Sequence, residues 1–201
     1  MKRILKEIVQ TVVLIAALNF PAAAEVSKKS SVFLLNEHVV SIDGELNDET
    51  VQEVKKLWKE TRFKILTITS PGGDFDAGLD LGLFVAAKKL TVYVPKQCNS
   101  SCSLVFFSAS SERRDMSDTA VMGLHNISLV STNGADPDTT FVSVRQLMEF
   151  THQVSTKVGY PFTLYAHNGI PAETLIDIST KHGEDIVVLR RTDLVKWGII
   201  Q

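Results

Sequence analysis

Residues 63–89 read FKILTITSPGGDFDAGLDLGLFVAAKK, and the two ends of this stretch obey different rules. Phe63 to Thr69 is rich in β-branched residues, the composition of a strand. Ser70-Pro71-Gly72-Gly73 then interrupts regular structure, because proline lacks an N–H and adjacent glycines favour a turn. From Ala77 to Lys89 the apolar spacing predicts a helix, and Thr91-Val92-Tyr93-Val94 supplies a returning strand. Strand, tight turn, helix and strand in this order describe a right-handed crossover within a parallel sheet.

The alternation continues outward in both directions. Phe33, Leu34 and Leu35 with Val39, Val40 and Ile42 predict one or two early strands. Asn47-Asp48 offers side-chain oxygens to cap a helix whose apolar stripe is Val51, Val54, Leu57 and Trp58. Downstream, a turn from Pro95 to Asn99 leads to an apolar, small-residue helix from about Ser100 to Ser110, then a strand from Ala120 to His125. A polar loop, Ser131 to Thr139, precedes a helix carrying Val144, Leu147, Met148, Thr151, Val154 and Val158 on one side. A short helix near Pro171 to Ser179, a strand from Ile186 to Leu189 and a last turn through Gly198 complete an α/β pattern with a largely parallel sheet.

Composition narrows the function. The chain has 201 residues, 44% hydrophobic and 22% charged, with a net charge of −2 and no long Lys/Arg run. That is the make-up of an ordinary globular domain without the basic footprint that nucleic acid requires. Two cysteines fill neither a four-thiolate zinc site nor a multi-bridge scaffold, and the histidines form no metal-binding motif; no metal or other cofactor is expected. No dinucleotide fingerprint or P-loop occurs. Lys2, Arg3 and Lys6 precede the uncharged stretch Ile8 to Phe20, followed by Pro21-Ala22-Ala23-Ala24-Glu25. This order reads as a secretory signal cleaved after Ala24, since thirteen helical residues reach only about 20 Å of a ~30 Å hydrocarbon core. The expected organisation is a signal peptide over 1–24, a polar lead-in over 25–30 and one domain over 31–201, in a periplasmic or secreted, oxidising compartment.

Chemistry gathers where strands end. In parallel sheets ligands bind at the carboxyl ends of the strands, and three junctions fall there: Gly72-Gly73, Ser100-Ser101 and His125. Glycines expose backbone N–H groups to a developing anion, and a helix N-terminus stabilises negative charge. Serine needs a base to attack at neutral pH, and imidazole is the usual one. The same residues also suit a helix cap and a structural histidine. Asn99 and Asn126 head N-x-[ST] triplets, which are read as coincidental beside the junctions.

Ser70-Pro71-Gly72-Gly73, the Ser100 junction, Gly123-Leu124-His125 and the closing LVKWGII (194–200) occur in an order that resembles the proteolytic subunit of the Clp protease, within the Clp/crotonase superfamily. The resemblance covers roughly residues 31 to 200 and implies repeated ββα units. It implies Ser100 as nucleophile, 25 residues before the base His125, with Ser101 as the register-shifted alternative. The oxyanion hole would fall on the amides of Gly73 and Ser101, and the triad acid on Asp177, with Asp185 as the other candidate. Cysteines around the serine bring the chain closer to exported relatives with a C-x-S-x-C junction than to the cytosolic protease. The implied activity is a serine hydrolase, a peptidase acting on peptide or protein. An exported compartment lacks ATP, so no ATPase partner is expected. The helix from about Phe141 to Tyr160 would serve either subunit packing in a homo-oligomer, as in Clp rings, or packing within the chain. Two other classes share the fold: crotonase-like thioester enzymes, whose coenzyme is cytoplasmic, and binding or assembly proteins that have lost catalysis.

Cys98 and Cys102 lie four residues apart, which along a helix puts Cα atoms about 6 Å apart, within the disulfide range of about 4.4–6.8 Å. In an oxidising compartment the expectation is a bridge that clamps the Ser100 turn; the alternative is two small buried thiols.

Overall fold

The computed structural model describes residues 30–126, 144–181 and 185–201. The expected signal segment 1–24, residues 25–29 of the polar lead-in, the loop 131–139 and the start of the helix expected from residue 141 lie outside the described residues. Chain order is β1 (Ser31–Asn36), β2 (Val39–Asp43), α1 (Asp48–Thr61), β3 (Ile65–Thr69), α2 (Phe75–Lys88), β4 (Thr91–Val94) and β5 (Gln97–Asn99). It continues with α3 (Cys102–Ser108), β6 (Arg114–Met116), β7 (Val121–Leu124), α4 (Val144–His167), α5 (Ala172–Thr180), β8 (Val187–Arg190) and α6 (Arg191–Lys196).

The expected parallel sheet is present, in the order β1-β2-β3-β4-β6, with only the edge strand β1 antiparallel to its neighbour. A second, three-stranded sheet, β5-β7-β8, was not separated from it by sequence. Pro95 follows β4 and cannot donate to a ladder, so the chain breaks there and resumes as β5 beside β7. Single parallel bridges, Leu46 with Gly73 and Ser70 with Cys98, carry pairing across the break. The units β1-β2-α1 and β4-β5-α3 are each two strands and a helix, whereas the β3–α2 unit has one strand extended by the Ser70 bridge.

Period-two alternation puts Val40 and Ile42, Leu66 and Ile68, and Val92 and Val94 in the core. Each contributes about 1.5–3 kcal/mol relative to exposure. Val51 and Val54 of α1, Leu81 and Val85 of α2, and Val105 and Phe106 of α3 meet them. The caps are local: Asn47 Oδ1 accepts from Thr50 N at 2.9 Å, and Asp74 Oδ1 from Ala77 N at 2.9 Å. Helices α2 and α3 approach closely at Gly78, where a Cβ would lie 2.6 Å from the Ser101 carbonyl oxygen. Behind them, buried Arg114 donates to the carbonyls of Phe107, Ala109 and Ile199 and to Asn168, tying the end of α3 to the end of α4 and the C-terminal tail. Burial pulls its guanidinium down to about 10, so it is still charged at neutral pH. No described helix is long and apolar enough to cross a membrane.

Candidate active site

The three junctions converge. Gly73 after β3, Ser100 and Ser101 after β5, and His125 after β7 line one cavity of about 260 Å³, together with Phe75, Leu104 and Tyr165. A larger cavity of about 600 Å³, between the ends of α2, α3 and α4, contains none of the expected site residues.

Ser100 holds its backbone at φ +53°. Among the described residues two other non-glycine residues have positive φ, Arg62 and Lys89, and both simply end helices as C-caps. Ser100 instead stands between a strand and a helix, where the conformation turns the side chain out of both. Its N–H donates to Gly123 O at 2.7 Å, and Asn99 Oδ1 accepts from Gly123 N at 2.8 Å, so β7 grips the turn from the side. Asn99 thus spends its side-chain oxygen inside the fold.

Cys98 and Cys102 are bridged by a disulfide, with Cα atoms 5.2 Å apart, and both are fully buried. The expected bracket around the serine turn is present.

Two residues of the cavity lining have amides that find no acceptor among the described residues. Gly73 N and Ser101 N donate to no oxygen among the described residues, although Gly72 N and Asp74 N on either side of Gly73, and Ser100 N before Ser101, are engaged. Gly72, at φ +106°, has no room for a Cβ, which would sit 2.7 Å from Ser100 Cβ. The glycine pair therefore brings its backbone against the serine.

His125 Nδ1 hydrogen-bonds to Asn126 O at 2.5 Å. A carbonyl only accepts, so Nδ1 is the donor in this bond and Nε2 is the nitrogen left to act on a substrate. Asn126 is itself anchored on the end of α5, its N–H donating to Lys181 O at 3.0 Å and its Nδ2 to Ser179 O at 3.2 Å. Asp177 lies on the same helix, but its side chain is 57% exposed and its carboxylate is 3.8 Å from Lys181 Nζ. Asp185 also reaches Lys181, at 3.4 Å. The described residues bring no carboxylate to His125. Nor do they gather three His, Cys, Asp or Glu side chains where a metal ion could sit.

No protein-family model matches the chain, and no curated protein matches it in sequence. A solved structure matches it in fold: a ClpP1 point mutant from Listeria monocytogenes superposes with a TM-score of 0.62 at 18% identity, over 82% of this chain and 91% of that one. The chain has a Clp-protease-like fold. At this identity the likeness is one of architecture, and the chemistry of the site rests on its own residues.

Within the Clp-like fold, sequence reading missed the Asn126 carbonyl, because a backbone oxygen has no residue signature. It also missed Ser103 and Tyr165. Ser103 is fully buried in an otherwise apolar helix, and Tyr165 is 3% exposed on α4. A polar residue inside the run SLVFF (103–107) was the available signal.

Proposed function

We propose that this chain is an exported, ATP-independent serine hydrolase, a peptidase that works through an acyl-enzyme on Ser100 with His125 as base. The observation that carries this reading is the shared cavity: a serine at φ +53°, an imidazole held through Nδ1 by Asn126 O and two amides that find no acceptor among the described residues line the same space. In the reaction, His125 Nε2 takes the proton of Ser100 Oγ as Oγ bonds to the substrate carbonyl carbon. The carbonyl oxygen becomes an anion and accepts from Gly73 N–H and Ser101 N–H. Collapse breaks the C–N bond, and the imidazolium gives its proton to the leaving amine. Water then repeats the sequence on the ester and frees Ser100.

Asn126 O orients the imidazole here, fixing the tautomer without adding the negative charge of a carboxylate. For Asp177 or Asp185 to act as the triad acid, Lys181 would have to release it. Export is supported by the basic, apolar and small-residue order before Glu25, and the Cys98–Cys102 bridge fits an oxidising compartment and the exported C-x-S-x-C branch of the superfamily. Homo-oligomerisation belongs to the same proposal, supported by exposed Phe33, Leu34 and Leu35 on the edge strand. Sedimentation showing only monomer at every concentration would remove it.

One observation favours a second reading, a binding or assembly protein without catalysis: the described residues give His125 no carboxylate. A fluorophosphonate separates the two, since only an activated serine reacts. Labelling on Ser100 that is lost in His125→Ala supports the hydrolase; an unlabelled, folded protein supports the binding role.

A further inference from the structure

Ser103 and Tyr165 form a buried hydrogen-bond chain that ends on the Ser100 turn. Ser103 Oγ donates to Ser100 O at 2.6 Å, and the same oxygen receives Ser103 N–H at 3.0 Å. Ser103 Oγ also lies 2.6 Å from Tyr165 Oη. A serine hydroxyl has one proton, and Ser103 spends it on Ser100 O, so Tyr165 must be the donor in the second bond. The direction is thus Tyr165 to Ser103 to Ser100, from α4 through the first turn of α3 to the peptide joining Ser100 and Ser101.

That peptide has two ends. In a trans peptide the carbonyl and the N–H point in opposite directions. Anchoring Ser100 O therefore sets the direction of Ser101 N–H, one of the two amides of the cavity lining that find no acceptor among the described residues. Hydrogen bonds accepted by a carbonyl also polarise its peptide and strengthen the N–H as a donor. We propose that Tyr165 and Ser103 are positioning residues that hold the Ser100–Ser101 peptide so that Ser101 N–H is presented to an oxyanion; this rests on the hydrolase reading of the cavity.

Packing alone does not call for the hydroxyl. The Tyr165 ring meets Phe107 edge-on, with centroids 5.2 Å apart, and phenylalanine would make the same contact. Ser101, the N-cap of α3, makes no side-chain cap bond, and the side-chain bond at this helix start is the one from Ser103 to the Ser100 carbonyl. Burial pushes the Tyr165 phenol up to about 12, which keeps it a donor across the neutral range.

The test uses Tyr165→Phe in the full mature chain, with Ser103→Ala as the second variant. Removing an oxyanion donor outright costs about 10²–10³ in rate; loosening one predicts a fall in kcat of about tenfold with KM unchanged. In ¹³C,¹⁵N-labelled protein the Ser100 carbonyl and Ser101 amide resonances should move in both variants, because each loses a bond in the chain that ends on that carbonyl. A fall in kcat together with moved resonances supports the proposal. Unmoved resonances overturn it, whatever happens to rate or melting temperature, and so does an unchanged kcat in an active enzyme. If the unsubstituted protein is inert to the fluorophosphonate, the hydrolase reading falls by itself. The resonances still decide whether this chain of bonds orients the peptide.

Discussion

The β3–α2 and β5–α3 junctions both bring backbone to the same cavity in left-handed conformations, and they do so by opposite means. At the first, glycines carry the unusual angles, φ +106° at Gly72 and +139° at Gly73, and side chains are excluded by contact: a Cβ on Gly73 would lie 2.3 Å from Leu46 O. At the second a serine holds φ +53°, a conformation that costs a non-glycine residue about 1–2 kcal/mol. The surroundings hold it there through Gly123 O on its N–H, Ser103 on its carbonyl and a disulfide across the turn. On the proposed hydrolase reading, a junction that supplies only an amide can be glycine and needs little support, and one that must supply a hydroxyl keeps a side chain and requires several independent restraints.

The strongest way to break this contrast is to put glycine at the second junction. Ser100→Gly should abolish phosphonate labelling and lower turnover by several powers of ten, with stability within about 1 kcal/mol of the parent, because removing the Cβ removes the strain along with the hydroxyl. Residual turnover would move the nucleophile to Ser101. The converse change, Gly73→Ala, adds a methyl against backbone at an angle alanine avoids, and should destabilise by about 3 kcal/mol or more in urea unfolding. An unchanged midpoint would show that the first junction is not held by contact.

Reduction of Cys98–Cys102 should separate activity from stability. A loop this short constrains the unfolded chain by about 2 kcal/mol or less, while a serine turn displaced by about 1 Å loses up to a hundredfold in rate. Full activity after reduction would refute the clamp, and free thiols in freshly isolated protein would refute the bridge. The smallest effect belongs to Asp177→Asn. With its carboxylate exposed and shared with Lys181, it should lower kcat less than about threefold. A hundredfold loss would put a carboxylate back behind His125.

Much of the architecture was legible. Asn47 caps α1, β4 runs over the expected Thr91–Val94, and the run of glycines falls between β3 and α2. These are local signals, carried by periodicity and by residues whose backbone preferences act on their immediate neighbours. The region around His125 was half legible. Sequence placed the short helix with Asp177 where it could support the histidine, and α5 does hold Asn126 through Ser179 O and Lys181 O. The group presented to Nδ1 is nevertheless a carbonyl, not a side chain.

By itself the sequence determined the α/β order, the three junctions and the serine-to-histidine interval, since each is a matter of residue type and spacing along the chain; for the two cysteines it left a bridge and two buried thiols both open, and the structure shows the bridge. Only tertiary structure decided that the sheet breaks after Pro95, that Ser100 sits at φ +53°, that Asn126 O faces the imidazole and that Tyr165 reaches Ser103 across 62 residues. These outcomes depend on which groups packing brings within about 3 Å, and hydrogen-bond geometry at that scale has no signature in sequence spacing.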